Sequence, residues 1–140
     1  MVAALLLASL LAAGDAQAGQ RLTQEQAIEL AGQGKHQEAL EAFQQLAADN
    51  PRNPVPRLWI GRMHAKMGHH ELAEPVFRSV VLEHPDNLEA VIGLSDSLVG
   101  QRRNDEALVC LTKAAKAQPE NPEIAAAIRR ARGHRFPWFW

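Results

Sequence analysis

Hydrophobic positions recur along this chain at helical spacing. Leu58, Ile60, Met63 and Met67 form one stripe, Ala73, Val76, Phe77, Val80 and Val81 a second, and Val91, Ile92, Leu94 and Leu98 a third. Shifting the sequence against itself by 34 residues superimposes Ala39, Ala73 and Ala107, then Phe43, Phe77 and Leu111, then Pro51, Pro85 and Pro119. Gly34 and Gly68 precede the first two alanines by the same interval, and Gln26-Ala27, Ile60-Gly61 and Leu94-Ser95 align in the first half of each unit. Each unit therefore predicts two amphipathic helices joined by a turn. A small residue where the helices cross lets their axes approach to about 8–10 Å, and the aromatic one turn further lies on the same face. Proline ends the unit because it cannot continue a helix.

Beyond Pro119, the stretch "ENPEIAAAIRRARG" predicts one more helix, with Asn121 as N-cap, Pro122 at the first helical position, Glu123 in the first turn and Gly133 as the stop. It would cap the array, since an open terminal unit leaves its apolar face wet. Pro75 costs little if its helix begins near Leu72, where the missing N–H belongs to the unpaired first turn. An earlier start would place it in the hydrogen-bonded ladder and predict a kink.

The pattern resembles the tetratricopeptide repeat. Gly61, Gly68, Ala73, Phe77 and Pro85 carry the resemblance in the middle unit (54–87), Gly34, Ala39, Phe43 and Pro51 in the first (20–53), and Ala107 with Pro119 in the third (88–121). The first unit departs from the family in having Gln26-Ala27 for the Leu-Gly pair and Leu30 for a tyrosine. The implied fold is all-α, a right-handed α-solenoid of three helix-turn-helix repeats within 19–132, with a capping helix at 122–132.

The resemblance also implies a non-catalytic binding module whose concave surface, made by the first helix of each unit, takes a segment of a partner protein. The positions it points to are Arg21, Gln24 and Ile28 in the first unit, Val55, Leu58, Arg62, Ala65 and Lys66 in the second, and Glu89, Ile92, Asp96 and Val99 in the third. The lysine and asparagine set with which some family members clamp a C-terminal carboxylate is missing. Gln24, Ile28, Trp59, Glu89 and Gly93 stand in those places.

Composition narrows the setting. The chain has 140 residues, 46% hydrophobic and 22% charged, with a formal net charge of -1, so one globular domain fits and no basic field draws in nucleic acid. The opening "MVAALLLASLLAAGDAQAGQ" is too short and interrupted for the roughly 20 apolar residues of a membrane span. Its Ala16-Gln17-Ala18 matches the small-residue cleavage pattern, so residues 1–18 are expected to be a signal peptide and the protein to reach the periplasm or cell envelope. No Lys or Arg precedes the apolar run. Cys110 is the only cysteine, which excludes an internal disulfide and CxxCH haem attachment, and its counterparts Val76 and Ala42 mark a small packed position.

Two local clusters invite chemistry. Met63, His64, Met67, His69 and His70 combine thioethers with imidazoles, a donor set that suits copper. The helical spacing of the methionines and the turn position of His69 and His70 instead favour packing, and no metal or other cofactor is expected. The tail 133–140 gathers Arg135, Phe136, Trp138, Phe139 and Trp140. Such residues fold back onto a neighbouring helix, anchor a partner or sit at a membrane surface. No Ser-His-Asp order, phosphate-cradling glycine loop or His-Glu-x-x-His motif is present, and no enzyme is expected. The expected work is that of an envelope adaptor or scaffold. The alternative is a fixed structural subunit of a larger assembly, held by its aromatic tail.

Overall fold

The computed structural model describes residues 22–133. The segment read as a signal peptide, and the tail beyond Gly133 with its arginine and aromatic residues, lie outside the described residues. Within them the chain forms helices and no strand: α1 (Gln24–Gly32), α2 (His36–Asp49), α3 (Pro54–Lys66), α4 (His70–Glu83), α5 (Leu88–Gly100), α6 (Asn104–Ala117) and α7 (Pro122–Arg132). Each helix packs on the next, and α3, α5 and α7 also meet one another in turn. The chain is an α-solenoid whose first helices line a common surface.

Capping shows why the helices start where they do. Asn53, Asn87 and Asn121 are the N-caps of α3, α5 and α7, their side-chain oxygens accepting from the N–H groups of Val55 at 3.0 Å, Ala90 at 3.0 Å and Glu123 at 2.9 Å. Pro54 and Pro122 occupy first-turn positions where no N–H is needed. In the first unit, Thr23 takes over with a reciprocal capping box to Gln26, which starts α1 later than the repeat register of Pro54 and Leu88 would place it.

The turns within units repeat one hydrogen-bond pattern. The N–H groups of Lys35, His69 and Arg103 donate to the carbonyls of Leu30, His64 and Leu98 at 3.0, 2.9 and 2.9 Å. Those of Gly34, Gly68 and Arg102 donate to Ala31, Ala65 and Val99. This is the Schellman arrangement, which needs a left-handed residue at its corner. Gly34 and Gly68 supply it with φ of 79° and 80°, but the third turn has Arg102 at φ 62°. Arg102→Gly is therefore expected to stabilise the fold by about 0.5–1 kcal/mol, the left-handed penalty of an L-residue less the extra chain entropy of glycine. A urea midpoint at or below that of the parent chain would contradict it.

The crossing alanines Ala39, Ala73 and Ala107 are all 0% exposed. Phe43 anchors an N-terminal cluster with Ala27, Leu40 and Met63, while Phe77, Leu94, Leu98 and Leu111 belong to the larger central one. Phe77 lies between two glycines: a Cβ at Gly61 would come within 2.7 Å of its ring and one at Gly93 within 2.5 Å. Ser95 and Ser97, both buried, donate to carbonyls one turn back in their own helix, Val91 at 2.9 Å and Gly93 at 2.8 Å. Cys110 is half-buried against the central cluster.

The helix containing Pro75 begins at His70, so the proline falls inside it rather than in its first turn. The lost N–H bond does not end the helix, which runs on to Glu83 and matches α2 and α6 at 14 residues. Nearby, the Glu74 carboxylate accepts from Arg78 at 2.6 Å, Arg103 at 2.6 Å and Gln101 at 2.8 Å. These bonds, that from Arg78 foremost, hold its pKa below the usual carboxylate range. Together with the Arg57–Glu83 pair between α3 and α4, they tie successive helices at the outside of the stack.

Candidate functional site

An open cavity of about 660 Å³ lies between the first helices α3, α5 and α7. Arg62, Ala65 and Lys66 come from α3, Glu89, Ile92, Gly93 and Asp96 from α5, and Glu123 from α7, with the buried Phe77 of α4 beneath them. The structure thus brings together Arg62, Lys66, Glu89, Ile92 and Asp96 of the groove residues read from the sequence. Gln24 and Ile28 lie exposed on α1, away from this cavity.

Leu58 is a correction. It is 5% exposed and sits in the central cluster with Val91 and Leu94, so it is not available to a ligand. Its place in the helical stripe explains the difference, because a leucine there gains more from contact with the next unit than from facing the groove. Glu123 is a groove residue the sequence did not reveal, whereas Gly93 stands at a clamp position already read from it, and Phe77, 2% exposed, lies beneath the groove as core. Glu123 is one unit on from Glu89 and could have been found from that register; Phe77 reads simply as core.

The groove charges are largely engaged with one another. Arg62 bonds Glu89 at 2.8 Å, and Arg130 donates to both Asp96 oxygens, from Nε and Nη2, at 3.1 Å. These pairs are exposed enough to be weak and exchangeable. Lys66 is exposed, with no ion pair to any described carboxylate. Toward the first unit, Trp59 stacks on Phe43 with ring centroids 5.2 Å apart and planes inclined by 7°, and the Arg62 guanidinium lies 4.7 Å from the indole centroid. Trp59 and Glu89, two of the five positions where clamp residues would stand, are thus occupied by a stack and an ion pair, and another, Gly93, carries no side chain.

The methionine–histidine cluster is divided by the fold. Met63 is 3% exposed in the N-terminal cluster and Met67 packs against it, so their sulfurs serve as core atoms. His70 turns toward Gly100, where an added Cβ would meet its ring at 2.4 Å. His64 and His69 remain neighbours at 6.4 Å, and burial, reinforced by His69, lowers the His64 pKa. Among the described residues no three His, Cys, Asp or Glu side chains converge on a point that could hold a metal ion. No described helix is long and apolar enough to cross a membrane.

The repeated helix pairs and the groove along their first helices define a helical-repeat solenoid with a concave face. The chain belongs to the tetratricopeptide repeat family, whose model matches residues 30–82 and 64–131. Human protein O-mannosyl-transferase TMTC1 is 30% identical over 101 residues, covering 72% of this chain and 12% of that protein, so the likeness spans a small part of the transferase. The second TPR domain of human RPAP3, solved with an HSP70 peptide, superposes with a TM-score of 0.71 at 15% identity, over 78% of this chain and 91% of that one. MamA from Desulfovibrio magneticus RS-1 gives a TM-score of 0.67 at 23% identity, over 74% and 59%. A thermophilic TPR protein of Thermus thermophilus gives 0.66 at 22%, over 73% and 58%. At these identities the structures share the fold.

Proposed function

We propose that this protein is a non-catalytic interaction module that holds a segment of a partner protein in the groove between α3, α5 and α7. The observation that carries this reading is the groove itself: apolar at Ala65 and Ile92, open, and rimmed by ion pairs that a ligand can exchange for its own. The RPAP3 domain solved with an HSP70 peptide has the same fold, which supports a peptide segment as ligand. The apolar N-terminal run with Ala16-Gln17-Ala18 supports work as an adaptor or scaffold in the cell envelope.

Arg62→Glu with Lys66→Glu should lower recovery of crosslinked partners from the native envelope at least tenfold while leaving the thermal midpoint nearly unchanged, because neither side chain is buried. Equal recovery by both proteins would refute the groove as the binding surface. A fixed subunit of a larger assembly is the second reading, and it draws on the outer face, where Leu82 is 77% and Val109 71% exposed. That reading predicts that the groove reversal leaves the assembly intact.

A further inference from the structure

Most of the charge around the cavity is matched within the chain. Arg62 of α3 bonds Glu89 of α5 at 2.8 Å, and Arg130 of α7 bonds Asp96 of α5 at 3.1 Å. Two charges are left over: Lys66, the last residue of α3, and Glu123, in the first turn of α7. Both line the cavity, both are exposed, and neither has an ion-pair partner among the described residues.

The repeat register shows how each comes to be unmatched. Carried one unit on, the Arg62–Glu89 pair becomes Asp96 and Glu123, two carboxylates. Arg130 takes Asp96, and no described cation is paired with Glu123. Lys66 is the converse case. Its counterparts one unit back and one unit on are Gly32 and Gly100, which have no side chain, so its charge belongs to no repeated pairing. Glu123 is held on the rigid start of α7, where the Asn121 side chain accepts from its N–H at 2.9 Å. A cation thus stands on α3 and a carboxylate on α7, with the apolar Ala65 and Ile92 among the residues that line the cavity they share.

We infer that the groove selects a segment of dipolar pattern: an aspartate or glutamate for Lys66 and a lysine or arginine for Glu123, with an aliphatic residue between them for Ala65 and Ile92. This rests on the groove reading above. Packed helices lie about 8–10 Å apart, so α3 and α7 are separated by about 16–20 Å across α5. An extended segment advances about 3.3 Å per residue, which places its acid and its base about five or six residues apart. Complementary charge at both ends excludes segments that carry one sign throughout, because these bring a like charge to Lys66 or to Glu123.

Selection of displayed random dodecapeptides on the full-length protein tests this. Enriched peptides should combine an acid and a base at that separation with an aliphatic residue between them. In a synthetic peptide from the selection, changing the acid to lysine should weaken binding at least tenfold, and Lys66→Glu should restore it. Changing the base to glutamate should weaken binding to the same degree, and Glu123→Lys should restore it. Both protein residues are exposed, so the variants keep the fold. Peptides that lose affinity with Ala65→Trp, which obstructs the cavity, but are restored by neither charge exchange, or by only one, would overturn the dipolar pattern and leave the groove standing. Failure to enrich any peptide, or peptides indifferent to Ala65→Trp and to both charge changes, would overturn the groove reading and the pattern with it.

Discussion

Phe77→Ala is expected to lower the stability of the protein by about 3–5 kcal/mol, the usual cost of emptying a buried aromatic site. Phe77 is 2% exposed and lies where three helices meet: it belongs to α4, and its ring fills the space beside Gly61 of α3 and Gly93 of α5. Both neighbours are glycines, so no side chain on either can swing into the void, and the structure around it can relax only by moving helices. In a solenoid, stability is close to a sum of intrinsic unit terms and nearest-neighbour interfaces. Phe77 is in the middle unit and contributes both to that unit and to its interface with the third. Set against a typical total of about 5–15 kcal/mol, the loss should take the urea midpoint far down and broaden the transition, as the two ends of the array begin to unfold separately. Urea unfolding followed by far-ultraviolet circular dichroism measures it. A loss below about 1 kcal/mol would mean that the ring is not the wedge between units.

The same register that locates Phe77 accounts for how much of the fold is legible in the sequence. Ala39, Ala73 and Ala107 and the prolines behind them recur because each unit must solve one packing problem with one local geometry, so a period in sequence becomes a period in space. The N-caps Asn53, Asn87 and Asn121 follow the prolines at a constant spacing and are legible on the same terms. What differs between units is harder to see. Leu58 and Ile92 share a register position, yet one is buried in the central cluster and the other lines the groove. That difference depends on which residues the next unit brings over each of them. The Arg62–Glu89 and Arg130–Asp96 pairs join residues of successive first helices. Their closeness follows from the pitch of the stack, which no single stretch of sequence encodes. The copper candidates are adjacent in the chain and so look like one local site, but the helix sends Met63 inward and leaves the histidines around the turn.

Gly93→Ala is expected to destabilise the fold by about 1–3 kcal/mol, the range for overpacking a filled site. Elsewhere in an exposed helix the same change would gain about 0.5–1 kcal/mol from reduced chain entropy. The sign reverses here because the new methyl would stand within 2.5 Å of the Phe77 ring, which is 2% exposed and packed on all sides. The third unit shows the compatible alternative, with Leu111 at the register of Phe77 and Ala127 at that of Gly93, both buried. Phe77→Leu alone should cost about 1 kcal/mol through the cavity it leaves, and Gly93→Ala added to it should cost little or nothing further. A double-mutant cycle should therefore give a favourable coupling of about 1–2 kcal/mol, and strict additivity would show that the ring and the glycine are not in conflict.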